Sequence, residues 1–332
     1  MALTVIEAFN KFLASEVNLD PDRTSVARSS RDWLVGKILA FPDDGNFPTI
    51  YSEMNIFFGS FARKTKIRPL NDIDIMIALK AEGANYESYY NRIEIHVPPG
   101  ATRLTALCNS GTNVLNSKRI INLLKDKLKS IPQYKSAEIK RNEAACTLQL
   151  NSYEWNFDIV PCFFTQQEFD GKTYYLIPDG NGNWKKTDPR VDRDFVASLN
   201  QRHDGNLLNI IRAVKYWQRR PTMPTMQSYL LETMLLHAYN NTSGKASQFI
   251  DMNLSGVFSY ISQNIHYPVQ DIKGISGDLN DVDYFDRSKI ANRAREDAEK
   301  ASRARTAEIN KDMKESIKLW GEIFGPNFPS YG

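Results

Sequence analysis

The chain has 332 residues and 42% hydrophobic side chains, enough to bury a large core and to form two lobes. Its net charge of +3, from 42 Lys and Arg against 39 Asp and Glu, is too mild to indicate nucleic-acid binding, and no long basic tract adds to it. Cys108, Cys146 and Cys162 are odd in number and unclustered, as in a reducing cytosol; no Cys/His group has zinc spacing, and no signal peptide or run of about 18 apolar residues is present, so a cytoplasmic protein is expected.

In chain order, 5–19 and 25–39 read as helices broken at Pro21, and 41–46 as a loop. From 50 to about 189 the pattern is a mixed sheet with flanking helices. One of these, 114–131, carries Val114, Ile121, Leu124 and Leu128 at helical spacing. The stretch 81–110 has no motif. Beyond 191 the chain is largely helical. Over 287–311, Ala291, Ala294, Ala298 and Ala301 form a small-residue face for close helix packing, with a solvated charged face opposite. Two domains follow: 1–190, including the N-terminal helices, and 191–332.

The most informative stretch is 59–77. Ile73-Asp74-Ile75-Met76-Ile77 reads as a strand, so Ile73, Ile75 and Ile77 share one face and Asp72 and Asp74 the other. Strand rise sets the two acidic Cα atoms about 6.5 Å apart. Their repulsion is about 2.5 kcal/mol at an effective dielectric near 20, which cations between them would relieve. Mg²⁺ suits such a pair, since it takes one or two carboxylates together with water and phosphate oxygens. Alone, Asp-x-Asp is as readily a solvated strand end. Upstream, Gly59 lets the backbone bend and approach a ligand, and Ser60 can cap a short helix over 61–66 whose first N–H groups attract phosphate.

A further acid comes from a second strand. Residues 147–150 and 155–160 flank a hairpin turn at Asn151-Ser152-Tyr153, and Pro161 ends the run. Asp158 emerges there between Phe157 and Ile159; Glu154, at the turn end, is its rival. In the helical half, Leu207, Ile210, Ile211, Val214 and Trp217 form an apolar stripe with Lys215 beside it, and Ser228 lies thirteen residues further on. Read singly, Lys215 is a solvated lysine and Ser228 a helix cap. His96, His203, His237 and His266 are isolated and read as structural.

Gly59-Ser60, Arg63, Thr65, Ile67, Pro69, Asp72-Ile73-Asp74 and Phe157-Asp158-Ile159-Val160-Pro161 resemble the polymerase-β-type nucleotidyltransferases. The Arg-x-Thr-x-Ile insertion is similar to that of the CD-NTases, bacterial relatives of cyclic GMP–AMP synthase and oligoadenylate synthase. The closing segment 320–329 resembles theirs too. The resemblance implies an α+β fold: a bilobed polymerase-β-like nucleotidyltransferase with a mixed-sheet catalytic lobe and a helical C-terminal lobe. It implies a two-metal Mg²⁺ site on Asp72, Asp74 and Asp158, with Mn²⁺ as a substitute, two ions about 3.5–4 Å apart serving the entering and leaving oxygens. It gives Gly59, Ser60, Lys215 and Ser228 to the donor triphosphate, ATP or GTP, and Asp278 and Asn280 to an acceptor base. A Gly/Asp/Asn-rich turn needs no ligand to explain it, and Arg63 either touches phosphate or braces the loop.

The implied product is a cyclic di- or trinucleotide messenger of anti-phage (CBASS) signalling. It would be read by a downstream effector, with ubiquitin-like conjugation enzymes acting at Gly332. Absence of the zinc module of the animal enzyme argues against DNA binding, and no membrane partner is expected. Two other readings stay open: a nucleotidyltransferase that makes linear oligonucleotides or modifies RNA or protein, and a non-catalytic nucleotide-binding regulator.

Overall fold

The computed structural model describes residues 1–332. In chain order its elements are α1 (Val5–Phe12), continued by a π-helical turn (Leu13–Val17), α2 (Pro21–Leu39), β1 (Ile56–Phe58), α3 (Gly59–Ala62), β2 (Asp72–Leu79), β3 (Asn85–Ser88), β4 (Ile93–His96), α4 (Thr102–Thr105) and α5 (Ser117–Lys129). Then come β5 (Glu138–Asn142), β6 (Ala145–Gln149), β7 (Asn156–Phe164), β8 (Tyr175–Pro178), β9 (Trp184–Thr187), α6 (Pro189–Arg202), α7 (Leu207–Gln218), α8 (Ser228–Asn240), α9 (Asp251–Asn264), α10 (Tyr284–Ile309) and α11 (Met313–Phe324). No helix is long and apolar enough to cross a membrane.

The chain forms two compact units: Pro21–Ala62 with Pro69–Arg190, and Met1–Asp20 with Arg63–Arg68 and Val191–Gly332. The second unit begins its long stretch at Val191, but it also takes the first helix and six residues, Arg63–Arg68, from between Gly59-Ser60 and Asp72. The physical reason lies in α1. Val5, Ala8, Phe9 and Phe12 follow helical spacing and are buried, Phe9 and Phe12 edge-on or tilted against Trp320, Phe324 and Phe328 at ring separations of 5.0–5.8 Å. Pro21 does not merely break the helices: it opens α2, because the first helical turn has no use for the N–H that proline lacks.

The sheet unit holds nine strands in the order β1-β2-β7-β8-β9-β4-β3, with the β5–β6 hairpin pairing to β7. β2 and β7 run parallel and the other ladders antiparallel. Ile73, Ile75, Phe157 and Ile159 are fully buried on one face. β7 continues through Pro161 to Phe164, beyond the expected stop. On that edge the β6 ladder ends at Ile159 and the β8 ladder starts at Phe163, so the missing N–H falls where no partner is waiting.

In the helical unit, α10 packs along α9 and α11. Ala291, Ala294, Ala298 and Ala301 are buried there, as their spacing predicts. The last residues form a parallel bridge between Tyr331 and Ala2, with the Ala2 N–H donating to the Ser330 carbonyl at 2.8 Å. Phe12→Ala should lower unfolding free energy by about 3–5 kcal/mol. Urea titration should show an earlier midpoint with an unchanged slope.

Candidate active site

Two rows of polar residues cross the sheet. Asp74 lies in register with Asp158, and Asp158 with Thr147; Asp72 lies in register with Asn156, and Asn156 with Gln149. Side chains paired across neighbouring strands share a face. Asp72, Asp74 and Asp158 therefore emerge together, half-buried, opposite the isoleucines. Neighbouring strands lie about 4.8 Å apart, which is closer than Asp72 to Asp74 along one strand. Further along, the same face turns apolar: Ile56, Met76, Ala78, Val160 and Cys162 form a small cluster that bounds the acidic end.

Gly59 follows β1 directly, where Phe58 pairs with Asp74. Its φ is +71°, a region that side-chain-bearing residues rarely adopt. A Cβ built on it would lie 1.8 Å from Asp74 Oδ2. The glycine thus lets the backbone rest against the carboxylate, with Ser60 next in the turn. The helix that Ser60 opens is short: α3 ends at Ala62, and Lys64 takes a φ of 62°. The expected continuation to residue 66 fails because 63–68 are drawn into the helical unit instead.

The acidic face fits a divalent cation. Its donors are carboxylate oxygens alone, Asp74 and Asp158 are lateral neighbours, and Mg²⁺ needs only one or two such ligands beside water and phosphate. No group of three or more His, Cys, Asp or Glu side chains is already gathered at ligating separation. Asp158 accepts a short hydrogen bond from Thr147 Oγ1. Glu154, its rival, forms an exposed ion pair with Arg23.

In the helical unit, Lys215 is not a solvated lysine. It is 2% exposed and ion-pairs with Glu232, itself 1% exposed, while its Nζ donates to the Thr65 carbonyl at 3.0 Å. Arg63 donates from Nη2 to Glu232 Oε2 at 3.0 Å, and Thr65 Oγ1 does so at 2.9 Å. Burial alone would raise the Glu232 pKa, but Arg63 and Lys215 outweigh it and hold the carboxyl below its ordinary value. Ser228 opens the same helix one turn before Glu232; the N-cap there is Gln227, so Ser228 is not the cap. Arg63 braces its own segment, and Ile67 is fully buried in the helical core.

The turn at 274–281 is internally braced. Asp278 Oδ1 accepts from the N–H groups of Val269 and Asn280, and the buried Asn280 amide donates to the carbonyls of Ile265 and Tyr267. Those bonds brace the loop through Asp278 Oδ1 and Asn280 Nδ2, and the buried Asn280 Oδ1 has no hydrogen-bond partner. His203 is structural, held between the Tyr239 carbonyl and the Ala246 N–H at 3.0 Å each.

No family model matches the chain. Over 336 aligned residues, 100% of this chain and 99% of the other, it is 43% identical to a probable cyclic nucleotide synthase of Bacillus cereus (strain VD146). The chain belongs to the CD-NTases, the cyclic nucleotide synthases. Its fold agrees. CdnC of Escherichia coli MS115-1, solved with ATP, superposes with a TM-score of 0.69 at 18% identity, covering 97% of this chain and 98% of that one. Escherichia coli DncV with 3′-deoxy GTP gives 0.65 at 12% identity, covering 96% and 97%.

In this CD-NTase the sequence brings Gly59, Ser60, Asp72, Asp74 and Asp158 to one end of one sheet. One residue it left without a role is Glu232. A signal was present: an acid set among Leu230, Leu231, Thr233, Met234 and Leu235 must find cations if that helix is buried. Asn156 and Thr147 were missed as well, since only register reveals them.

Gly59→Ala should cost about 1–3 kcal/mol in backbone strain and displace the Asp74 carboxylate. Melting should show a folded protein, while pyrophosphate release should fall by at least about a hundredfold, about 2.7 kcal/mol of barrier. Breaking the buried cluster with Glu232→Gln should cost about 3–5 kcal/mol at neutral pH. Because the folded-state pKa of Glu232 is depressed, its contribution is complete above the ordinary value of 4.5 and is lost as pH falls through the folded value. The difference in Tm between wild type and this variant should therefore shrink on acidification below that value.

Proposed function

We propose that this CD-NTase uses Asp72, Asp74 and Asp158 to hold Mg²⁺, or Mn²⁺ in its place, and joins ATP or GTP into a cyclic di- or trinucleotide. The observation that carries the reading is the lateral register of Asp74 with Asp158 beside a glycine whose missing side chain leaves room for the Asp74 carboxylate. When bound, the ions would supply charge compensation at phosphate oxygens and a lowered pKa at the acceptor hydroxyl.

The residues of the sheet unit do the rest by placement. Gly59 brings the turn against Asp74, and the Ser60 hydroxyl and neighbouring N–H groups donate to phosphate oxygens. A ribose hydroxyl of the acceptor attacks the α-phosphorus in line. One P–O bond forms, the bond to the pyrophosphate leaving group breaks, and the hydroxyl proton is lost. Closing a ring repeats the step on the triphosphate of the linear intermediate. The resemblance also gives Lys215 and Ser228 to the donor triphosphate; Lys215 ion-pairs with Glu232 and donates to the Thr65 carbonyl, and an ammonium has three N–H donors.

The anti-phage setting, a downstream effector and conjugation through Gly332 rest on the resemblance, and the cytoplasmic location on the unclustered cysteines. A linear product and a non-catalytic binder are the competing readings. Incubation with all four nucleoside triphosphates and Mg²⁺ or Mn²⁺, followed by intact-mass analysis, should yield pyrophosphate and a cyclic product that lacks a terminal phosphate. Asp74→Asn should reduce release by at least about a hundredfold. Linear products alone would refute cyclisation. Nucleotide binding without metal-dependent release would refute transfer.

A further inference from the structure

The motif Arg63-x-Thr65-x-Ile67 lies in six residues, Arg63–Arg68, that belong to the helical unit although both flanks belong to the sheet unit. Gly59-Ser60 precede this segment and Asp72 and Asp74 follow it. Its path is fixed at almost every position. Arg212 Nη1 donates to the Lys64 carbonyl at 3.0 Å, and Arg219 Nη1 to the Arg68 carbonyl at 3.3 Å. The Arg68 N–H donates to the Val17 carbonyl at 3.0 Å, and Arg68 Nη2 to the Ala14 carbonyl at 2.9 Å. Ile67 and Thr65 are fully buried.

At the centre is one carboxylate. Glu232 Oε2 accepts from Arg63 Nε at 3.2 Å, Arg63 Nη2 at 3.0 Å and Thr65 Oγ1 at 2.9 Å, and Glu232 Oε1 accepts from Lys215. Lys215 in turn reaches back to the Thr65 carbonyl. Asp192 adds a second negative charge near Arg63, and the Arg63 guanidinium lies 5.4 Å from the Tyr229 ring centroid. The arrangement explains the residue types. Arg63 supplies a forked donor, Thr65 a short donor to the same Glu232 oxygen, and Ile67 the apolar plug.

We propose that Glu232 is a positioning residue for nucleotidyl transfer: it pins Arg63, Thr65 and Lys215, and so fixes the segment from which the Gly59-Ser60 turn and the Asp72/Asp74 strand depart. The positioning role rests on the nucleotidyl-transfer reading above. The anchoring itself does not, and it has its own readout. The segment carries the trypsin sites Arg63, Lys64 and Lys66, of which Lys66 is 4% exposed.

The test is site-resolved limited trypsinolysis of the full chain, below its melting transition, with cleavage after the exposed Lys311 as internal reference. In Glu232→Gln, cleavage within 63–66 should rise at least about fivefold relative to Lys311. An unchanged ratio in a folded variant overturns the anchor. In steady state the same variant should show KM for the triphosphate raised at least about fivefold, with a smaller change in kcat; Glu232→Asp should recover part of the loss. Loosened cleavage with wild-type kcat and KM overturns the positioning role and leaves a purely structural anchor.

Should Glu232→Gln fail to fold, Thr65→Val removes one donor to the same oxygen without stranding a buried charge. It should raise the cleavage ratio about twofold, and an unchanged ratio there counts against the proposal equally. A wild-type chain that turns over no triphosphate would sink the function reading, yet the trypsin ratio would still decide the anchor.

Discussion

Two carboxylates held side by side on adjacent strands set the terms for the sheet unit. Asp74 and Asp158 are lateral neighbours in a parallel pair, and repulsion across about 5 Å at an effective dielectric near 20 is about 3 kcal/mol. The fold keeps that cost because the opposite face needs Ile73, Ile75, Phe157 and Ile159 in the core, and strand alternation then leaves the acids no other direction. Thr147 absorbs part of the tension by donating to Asp158. This half-buried face, with adjacent carboxylates and a glycine backbone against one of them, is what the proposed cation site rests on.

The helical unit solves a different electrostatic problem. Arg63, Lys215 and Glu232 remove two cations and one anion from water, and burial of ions is favourable only when their hydrogen bonds are met. Here Thr65 contributes both a hydroxyl and a carbonyl, so each charged group finds partners. The result is specificity of path more than raw stability. A short segment between the two halves of a nucleotide motif is held at one defined place within its unit.

Much of this was legible in the sequence where local rules coincide with the outcome. Alternating isoleucines and aspartates fixed the faces of β2, and alanine spacing fixed the buried side of α10. The failures share one cause, dependence on partners distant along the chain. Pro161 does not end β7, because the neighbouring ladders leave it a gap. Residues 63–66 do not prolong α3, because Glu232, more than 160 positions away, claims Arg63 and Thr65. The first helix pairs with Trp320 and Phe324 rather than with its sequence neighbours.

The central claim is that the acids of β2 and β7 serve one cation site. Anomalous diffraction from crystals grown with Mn²⁺ and a non-hydrolysable nucleoside triphosphate tests it most directly. The account predicts manganese in contact with carboxylate oxygens of both Asp74 and Asp158, with Asp158 drawn from Thr147. Manganese bound elsewhere, with Asp158 still joined to Thr147 and the nucleotide in place, would contradict it.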